Sequence, residues 1–389
     1  MNIIFKNPLL FFNGKLRKFK KFEVSDIVSD LNDFQGKSNL EIEARDLAIL
    51  PGLIDPHVHI RDFELAFKED FLTGSKAAAK GGFVYFIDMP NTMPPVLDSE
   101  TLEKRKQVAK KSIIDCGFHF GASARDNTQE IVKAFRDKKV HSLKIYLNHT
   151  TGDLLIEDEK LLDKMFAIAP LVSVHAEDEK VELAIKLAKK HHTKLYLCHI
   201  SQESELQIIK KYKKTANDPI FVEVTPHHLF LDQDLDKDGF TKMRPPLRNK
   251  RDQQSLWAAI ESGLIDTIGS DHAGHTKQEK QSSSPPFGVP GLETTTPLLI
   301  DAYNKGMIRL EKLVFLLSQN SAKIFGLNYL GKLDSKHKTN LTIIDLNLTK
   351  TLKNNTLKTK CGWSPFDNWE LKGWPIMTIA QGKIVFGNL

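Results

Sequence analysis

The chain has 389 residues, too many for one small core, and its 41% hydrophobic and 27% charged content excludes disordered, collagen-like and membrane-spanning classes. The net charge of +6 comes mainly from scattered lysines, as in "KLRKFKKF" and "KKYKK", with no basic stripe interleaved with aromatics, so no nucleic-acid surface is expected. It leaves a mildly positive field able to steer a small dianion inward.

Residues 1–50 hold short strand-like pieces around a Gly turn ("IIFKNPLLFFNGKLRKF"), and "NPLLFF" is too short and wrongly flanked for a signal peptide. No apolar run reaches the ~18 residues of a membrane span. Cys116, Cys198 and Cys361 are odd in number and far apart, which argues against a disulfide framework. A soluble cytoplasmic protein without membrane contact is the expectation.

From residue 50 to 275, β-branched runs alternate with helical patterns. Strands are predicted at Leu53–His59, Phe83–Asp88, Phe118–Ala122, Ser142–Leu147, Leu171–Ala176, Lys194–Ile200, Phe221–Thr225 and Ile265–Ser270. Amphipathic stretches lie between them, among them "KEDFLTGSKAAAKGG", "SETLEKRKQVAKK", "DEKVELAIKLAKKH" and "ESELQIIKKYKK". Eight such units predict an α/β fold, a closed (β/α)8 TIM-like barrel over residues 51–330. "HTKQEKQSSSPPFGVPG" (275–291) reads as a loop after the eighth strand. Residues 331–389 return to strand-like pieces ("TNLTIIDL", "MTIAQGKIVFG"), and with residues 1–50 they are expected to form a small β-sandwich domain.

Catalytic groups of a barrel sit at the C-terminal strand ends, and here those ends are polar. Strand one ends His57-Val-His59-Ile-Arg61, with its two imidazoles on one face. Strand two ends "DMPNT" with Asn91, and strand four, "SLKIYL", carries Lys144 among apolar residues. Strands five and six end in His175 and His199, strand seven is "FVEVTPHHL", and strand eight ends in Asp271. Singly, each residue has a plain structural explanation: a hydrogen-bonded histidine, a turn-capping aspartate, a snorkelling lysine. Five strand ends converging on one face make a site the better reading. Nitrogen and oxygen ligands suit a borderline divalent metal, zinc first, then manganese or cobalt. An ammonium has no lone pair, so Lys144 ligates only after losing its proton, and carbamylation by CO2 achieves that.

The segments "PGLIDPHVHIRD", "MPNTMPP", "LKIYLN", "VHAED", "CHIS", "EVTPHHL", "RPPLR", "SDHAGH" and "PGLETTTPLL" together resemble the amidohydrolase superfamily and, within it, the dihydroorotase family. The lysine in "LKIYLN" is similar to that of the dihydroorotases related to the animal multifunctional pyrimidine enzyme. The resemblance implies two divalent ions, one held by His57, His59, N-carboxylated Lys144 and Asp271, the other by Lys144, His175 and His199. It implies that Arg61, Asn91 and His275 bind the substrate α-carboxylate, with Arg244 a further substrate-side arginine. Asp271 would be the proton carrier, and Thr150 would belong to a loop that closes over the substrate. Cys198 and Glu223 match positions that help hold an additional metal, although strand alternation should turn Cys198 away from His199. Two departures stand out: "RDFE" (Arg61–Glu64) replaces a common REPG, and Gly274 replaces a proline, giving His275 more backbone freedom.

The implied reaction is the reversible hydrolysis of dihydroorotate to N-carbamoyl-L-aspartate. The competing readings are another cyclic amidase (dihydropyrimidinase, hydantoinase or allantoinase), whose substrates lack the carboxylate that Arg61 would hold, and a non-catalytic structural homologue. A homodimer is compatible with the sequence, and so is association with aspartate transcarbamoylase, for which the sequence offers no motif.

Overall fold

The computed structural model describes residues 1–389 except 30, 32–37, 151, 153, 216–217, 236–238, 334–337 and 388–389. Its centre is a parallel sheet of β1 (Leu53–His59), β2 (Phe83–Asp88), β3 (Asp115–Gly121), β4 (Ser142–Tyr146), β5 (Leu171–His175), β6 (Lys194–Leu197), β7 (Ile220–Val224), β8 (Thr267–Ile268) and β9 (His272–Ala273). Consecutive strands pair from β1 through β8, while β9 pairs with β1. The eighth stave is thus split: one half holds β7, the other holds β1, and Gly269, Ser270 and Asp271 bridge them and close the barrel. β1, β2, β4 and β5 are buried along their whole length, as expected of a parallel sheet covered on both faces.

Helices wrap the outside, and local chemistry sets their ends. In Phe71–Lys80, the Asp70 carboxylate accepts from the Thr73 backbone N–H at 2.8 Å, and Thr73 Oγ1 caps the Asp70 N–H in return. That helix stops at Gly81-Gly82, where Gly82 has φ +90° and a Cβ would lie 2.6 Å from Thr342 Cγ2. Among the described residues, no helix is long and apolar enough to cross a membrane.

Boundaries differ from the sequence reading where the backbone leaves the extended region. The sixth strand stops at Leu197 rather than Ile200, because His199 takes φ +36°. The run Ile265–Ser270 keeps only two paired residues before the break at Asp271, φ +47°. The third strand starts at Asp115, where its exposed first residue pairs with β2. The segment 275–291 is not loop throughout: Lys277–Lys280 forms one helical turn capped by Thr276 and Glu279.

Strands from both ends of the chain share a seven-stranded sheet ordered Lys15–Lys18, Leu9–Phe12, Leu47–Pro51, Leu341–Thr351, Glu370–Ala380, Lys383–Gly387, Val28–Ser29. A three-stranded sheet, Lys21–Val24, Asn2–Lys6, Asn39–Glu43, accompanies it. Ile3, Phe5, Leu10, Ile49, Ile343, Met377 and Ile379 from both sheets form one core cluster. Between Leu341–Thr351 and Glu370–Ala380 the chain leaves this sheet and runs to the barrel as a strap, residues 352–369. Glu69, at the barrel mouth, accepts from the Lys360 backbone N–H at 3.1 Å and from the Thr359 hydroxyl. Glu293 accepts from the Lys358 and Thr359 N–H groups at 2.6 and 2.9 Å. Trp363 Nε1 donates to the His275 carbonyl at 2.6 Å.

Candidate active site

β1 stays extended to its last residue, so His57 and His59 project from one face into the barrel mouth. Their Nε2 atoms are 3.3 Å apart, and Asp271 Oδ1 lies 3.1 Å from the first and 3.0 Å from the second. A tetrahedral ion with ligand bonds of ~2.0–2.1 Å has ligand-to-ligand edges of roughly 3.3 Å, so these three atoms are spaced like corners of such a shell. The far ring nitrogens are held from behind. His57 Nδ1 is 2.8 Å from Glu223 Oε1, and His59 Nδ1 is 2.6 Å from Asn91 Oδ1. Donating there as neutral imidazoles, both rings would turn Nε2 lone pairs toward the Asp271 oxygen, a repulsion that either a proton on His57 or a cation among the three atoms relieves. Burial disfavours charge on His57 and Asp271, yet the Glu223 and Asp271 carboxylates hold the His57 imidazolium well above its usual range. His57 in turn holds Asp271 well below the usual carboxylate range. Burial lowers His59 to about 4.

A second nitrogen pair adjoins the first: His175 Nδ1 and His199 Nε2 are 3.0 Å apart, and the His199 and His57 ring centroids are 5.2 Å apart. Lys144 reaches the same centre from β4, fully buried. Its Nζ has Cys198 Sγ at 3.1 Å as hydrogen-bond partner, and among the described residues no carboxylate lies within ion-pair reach. The Tyr146 ring lies beside it, with Nζ 5.0 Å from the ring centroid.

The expectation that Cys198 turns away from His199 is wrong. Alternation holds only in extended backbone; β6 has ended at Leu197, and the left-handed turn at His199 brings both neighbours toward the centre. His57, Cys198 and Glu223 consequently present potential ligand atoms all within 4.8 Å of one another.

Beside the histidine cluster, Arg61 is 2% exposed. Its Nη2 lies 3.2 Å from His275 Nε2, while Nε and Nη1 are buried without a hydrogen-bond partner. His275 Nε2 is also 2.9 Å from the Phe287 carbonyl, and burial, reinforced by Arg61, presses its basicity far down. The freedom that Gly274 introduces is offset by the Phe287 and Trp363 contacts. After Arg61 the "RDFE" turn runs through Asp62 (φ +21°) and Phe63 (φ +54°), and the Asp62 carboxylate accepts from the Phe63 and Phe71 N–H groups. Arg244 packs over the Phe287 ring at 5.1 Å and is the most open of the arginines here.

One cavity is bordered by every site residue predicted above except His275, which stands behind Arg61, and Cys198 and Glu223, which lie deeper. Three residues that matter were not singled out. Tyr146 follows Lys144 by two on the same strand, a spacing that places it on the same face. Glu177 lies 3.4 Å from His175 Nε2 and 3.3 Å from Arg248 Nη2; its signal was its place in "VHAED". Trp363 had no local signal, since its partner is 88 residues away.

The sequence model of the Amidohydrolase family matches residues 48–385. A Pyrococcus furiosus protein named dihydroorotase is 35% identical, with the alignment covering 91% of this chain and 85% of the relative. A Methanosarcina mazei protein of the same name is 32% identical over 99% of this chain and 94% of its own. Among solved structures, L-hydantoinase (dihydropyrimidinase) from Arthrobacter aurescens superposes with a TM-score of 0.89 at 25% identity, covering 99% of this chain and 96% of that one. Dihydropyrimidinase from Brevibacillus agri has a TM-score of 0.86 at 24% identity, over 100% of this chain and 95% of its own, a likeness of fold.

Proposed function

From the premise that the chain belongs to the amidohydrolase family and is a hydrolase, we propose that it is a dihydroorotase, opening the ring amide of dihydroorotate to N-carbamoyl-L-aspartate and closing it in reverse. The observation that carries this choice is Arg61: a buried guanidinium beside the histidine cluster, with two N–H groups that no group among the described residues satisfies. An unpaired buried cation is costly, and a substrate carboxylate supplies the missing partner. Hydantoin, dihydrouracil and allantoin carry none, so although the similar solved structures are named hydantoinases, Arg61 would be left unmatched by their substrates.

The donor set fits two divalent ions, zinc first: His57, His59, Asp271 and N-carboxylated Lys144 for one, and Lys144, His175 and His199 for the other. Held there, such ions supply Lewis acidity, which lowers the pKa of water and polarises an amide carbonyl. Carboxylation joins the Lys144 amine lone pair to CO2 and releases one proton. Asp271 accepts a proton from the water that adds to the ring carbonyl and delivers it to the ring nitrogen as the C–N bond breaks. Arg61, with His275 behind it and Asn91 and Arg244 at the wall, orients the ring by its carboxylate, and Thr150 lies at the mouth. Glu223 keeps His57 in its working tautomer. Ring closure converts two carboxylates into one and takes up a proton. This reading assigns residues 51–330 to the catalytic barrel, 1–50 with 331–389 to a β unit, and the protein to the cytoplasm, where free thiols persist.

The test is an assay of the metal-loaded protein in bicarbonate buffer, with dihydroorotate, dihydrouracil, hydantoin and allantoin in parallel. Turnover of dihydroorotate alone supports the reading. Turnover of an uncarboxylated ring in its place moves the protein to the hydantoinase group, and no turnover with metal bound points to a structural homologue.

A further inference from the structure

Tyr146 is 2% exposed at the end of β4, and its ring stands beside Lys144, whose Nζ is 5.0 Å from the ring centroid. Tyr146 borders the same cavity as Arg61 and Asp271, and its buried hydroxyl has no hydrogen-bond partner among the described residues. A buried phenol normally finds one, since leaving an O–H unsatisfied is unfavourable. Its strand is not free to move away: the Tyr146 carbonyl accepts from Ile156 N–H at 3.1 Å, and the residue is registered against His175 of β5. The orphan hydroxyl is therefore held in place.

Apart from the ring nitrogens of His175 and His199, the residues bordering the cavity thus carry three donors without a partner among the described residues, the Nε and Nη1 of Arg61 and the hydroxyl of Tyr146. A carboxylate has about four acceptor sites on two oxygens, and among the described residues no carboxylate is hydrogen-bonded to any of the three donors. We propose that Tyr146 is a substrate-binding residue whose hydroxyl donates to the α-carboxylate of the ring, beside Arg61, and so contributes to selection of carboxylated over uncarboxylated substrates. Arg61 supplies charge and Tyr146 supplies direction, and a phenol reaches this position without adding a second charge near the histidines. The inference rests on the dihydroorotase reading and extends it by naming a residue that sets specificity.

The test is Y146F, which keeps the ring against Lys144 and removes only the oxygen. A hydrogen bond to a charged group corresponds to roughly tenfold to hundredfold in binding. In Y146F the KM for dihydroorotate and the inhibition constant of N-carbamoyl-L-aspartate are expected to rise about tenfold or more. kcat should stay within about threefold, and inhibition by N-carbamoyl-β-alanine, which lacks the α-carboxylate, should not change. Metal content equal to wild type establishes that the centre is intact. A fall in kcat at unchanged KM, or equal weakening of both inhibitors, overturns the proposal. The wild-type assay separates the two layers: if wild type fails on dihydroorotate, the reading and the inference fall together. If wild type works and Y146F matches it, only the inference falls.

Discussion

Replacing Glu223 by alanine removes an acceptor on which three donors converge. The carboxylate receives His57 Nδ1–H at 2.8 Å, the His199 backbone N–H at 2.9 Å and the Tyr196 hydroxyl at 2.7 Å, all in a fully buried environment. Tyr196 keeps an alternative in Thr267 Oγ1 at 2.7 Å, so two donors are orphaned. At ~1–3 kcal/mol for each buried unsatisfied group, the loss is roughly 2–6 kcal/mol, a large share of the ~5–15 kcal/mol that stabilises a typical domain. Glutamine can keep its one oxygen in place of Oε1, which accepts from both His57 and His199, so Glu223→Gln should lose far less. It should also weaken metal binding, because it no longer supports the His57 tautomer with a charge; such partners contribute about 10–100-fold to affinity. Urea unfolding after chelation reads the first effect, and a competitive-chelator titration of Glu223→Gln reads the second. An alanine variant that unfolds at the wild-type midpoint would refute the argument, as would a glutamine variant with unaltered metal affinity.

Asp271→Asn keeps a ligating oxygen but no longer carries a proton, so metal content should stay near normal while turnover falls by at least about a hundredfold, read by elemental analysis and progress curves. Gly269→Ala places a Cβ 2.4 Å from Glu223 Oε2 and 2.9 Å from His57 Cβ, so it should weaken metal binding as Glu223→Gln does, though Glu223 itself is intact. The same chelator titration checks it, and wild-type affinity would show that the strand break tolerates a side chain. Trp363→Phe removes the donor to the His275 carbonyl from a residue 1% exposed, and should lower stability by ~1–3 kcal/mol in chemical unfolding and raise KM more than it lowers kcat.

What was legible in the sequence depended on backbone regularity. His57 and His59 could be paired on paper because β1 is extended through both, and the alternation rule then holds. The same rule failed two residues beyond β6, where His199 has φ +36° and the chain no longer alternates. The eighth strand was visible as an apolar run, but nothing in Ile265–Ser270 announced that its middle would open at Gly269–Asp271. Contacts that cross the barrel were hidden for another reason. Glu223 and His57 are 166 residues apart, and a glutamate behind a histidine leaves no local pattern. The terminal strands were recognisable as strands, yet their interleaving in one sheet is a matter of long-range pairing that composition does not encode.

The strap has a consequence for the order in which this protein becomes competent during synthesis. Every residue proposed to hold the ions has been made once residue 271 is reached. The mouth is not complete, because Glu69 waits for Thr359, 290 residues downstream, and the His275 carbonyl waits for Trp363. Leu47–Pro51, which leads directly into β1, likewise has no antiparallel partner until Leu341–Thr351 emerges. Contacts of such sequence separation form late, since loop closure must precede any gain from them. The strap's contacts to Glu69 and to the His275 carbonyl thus tie completion of the mouth to residues near the far end of the barrel-and-strap sequence.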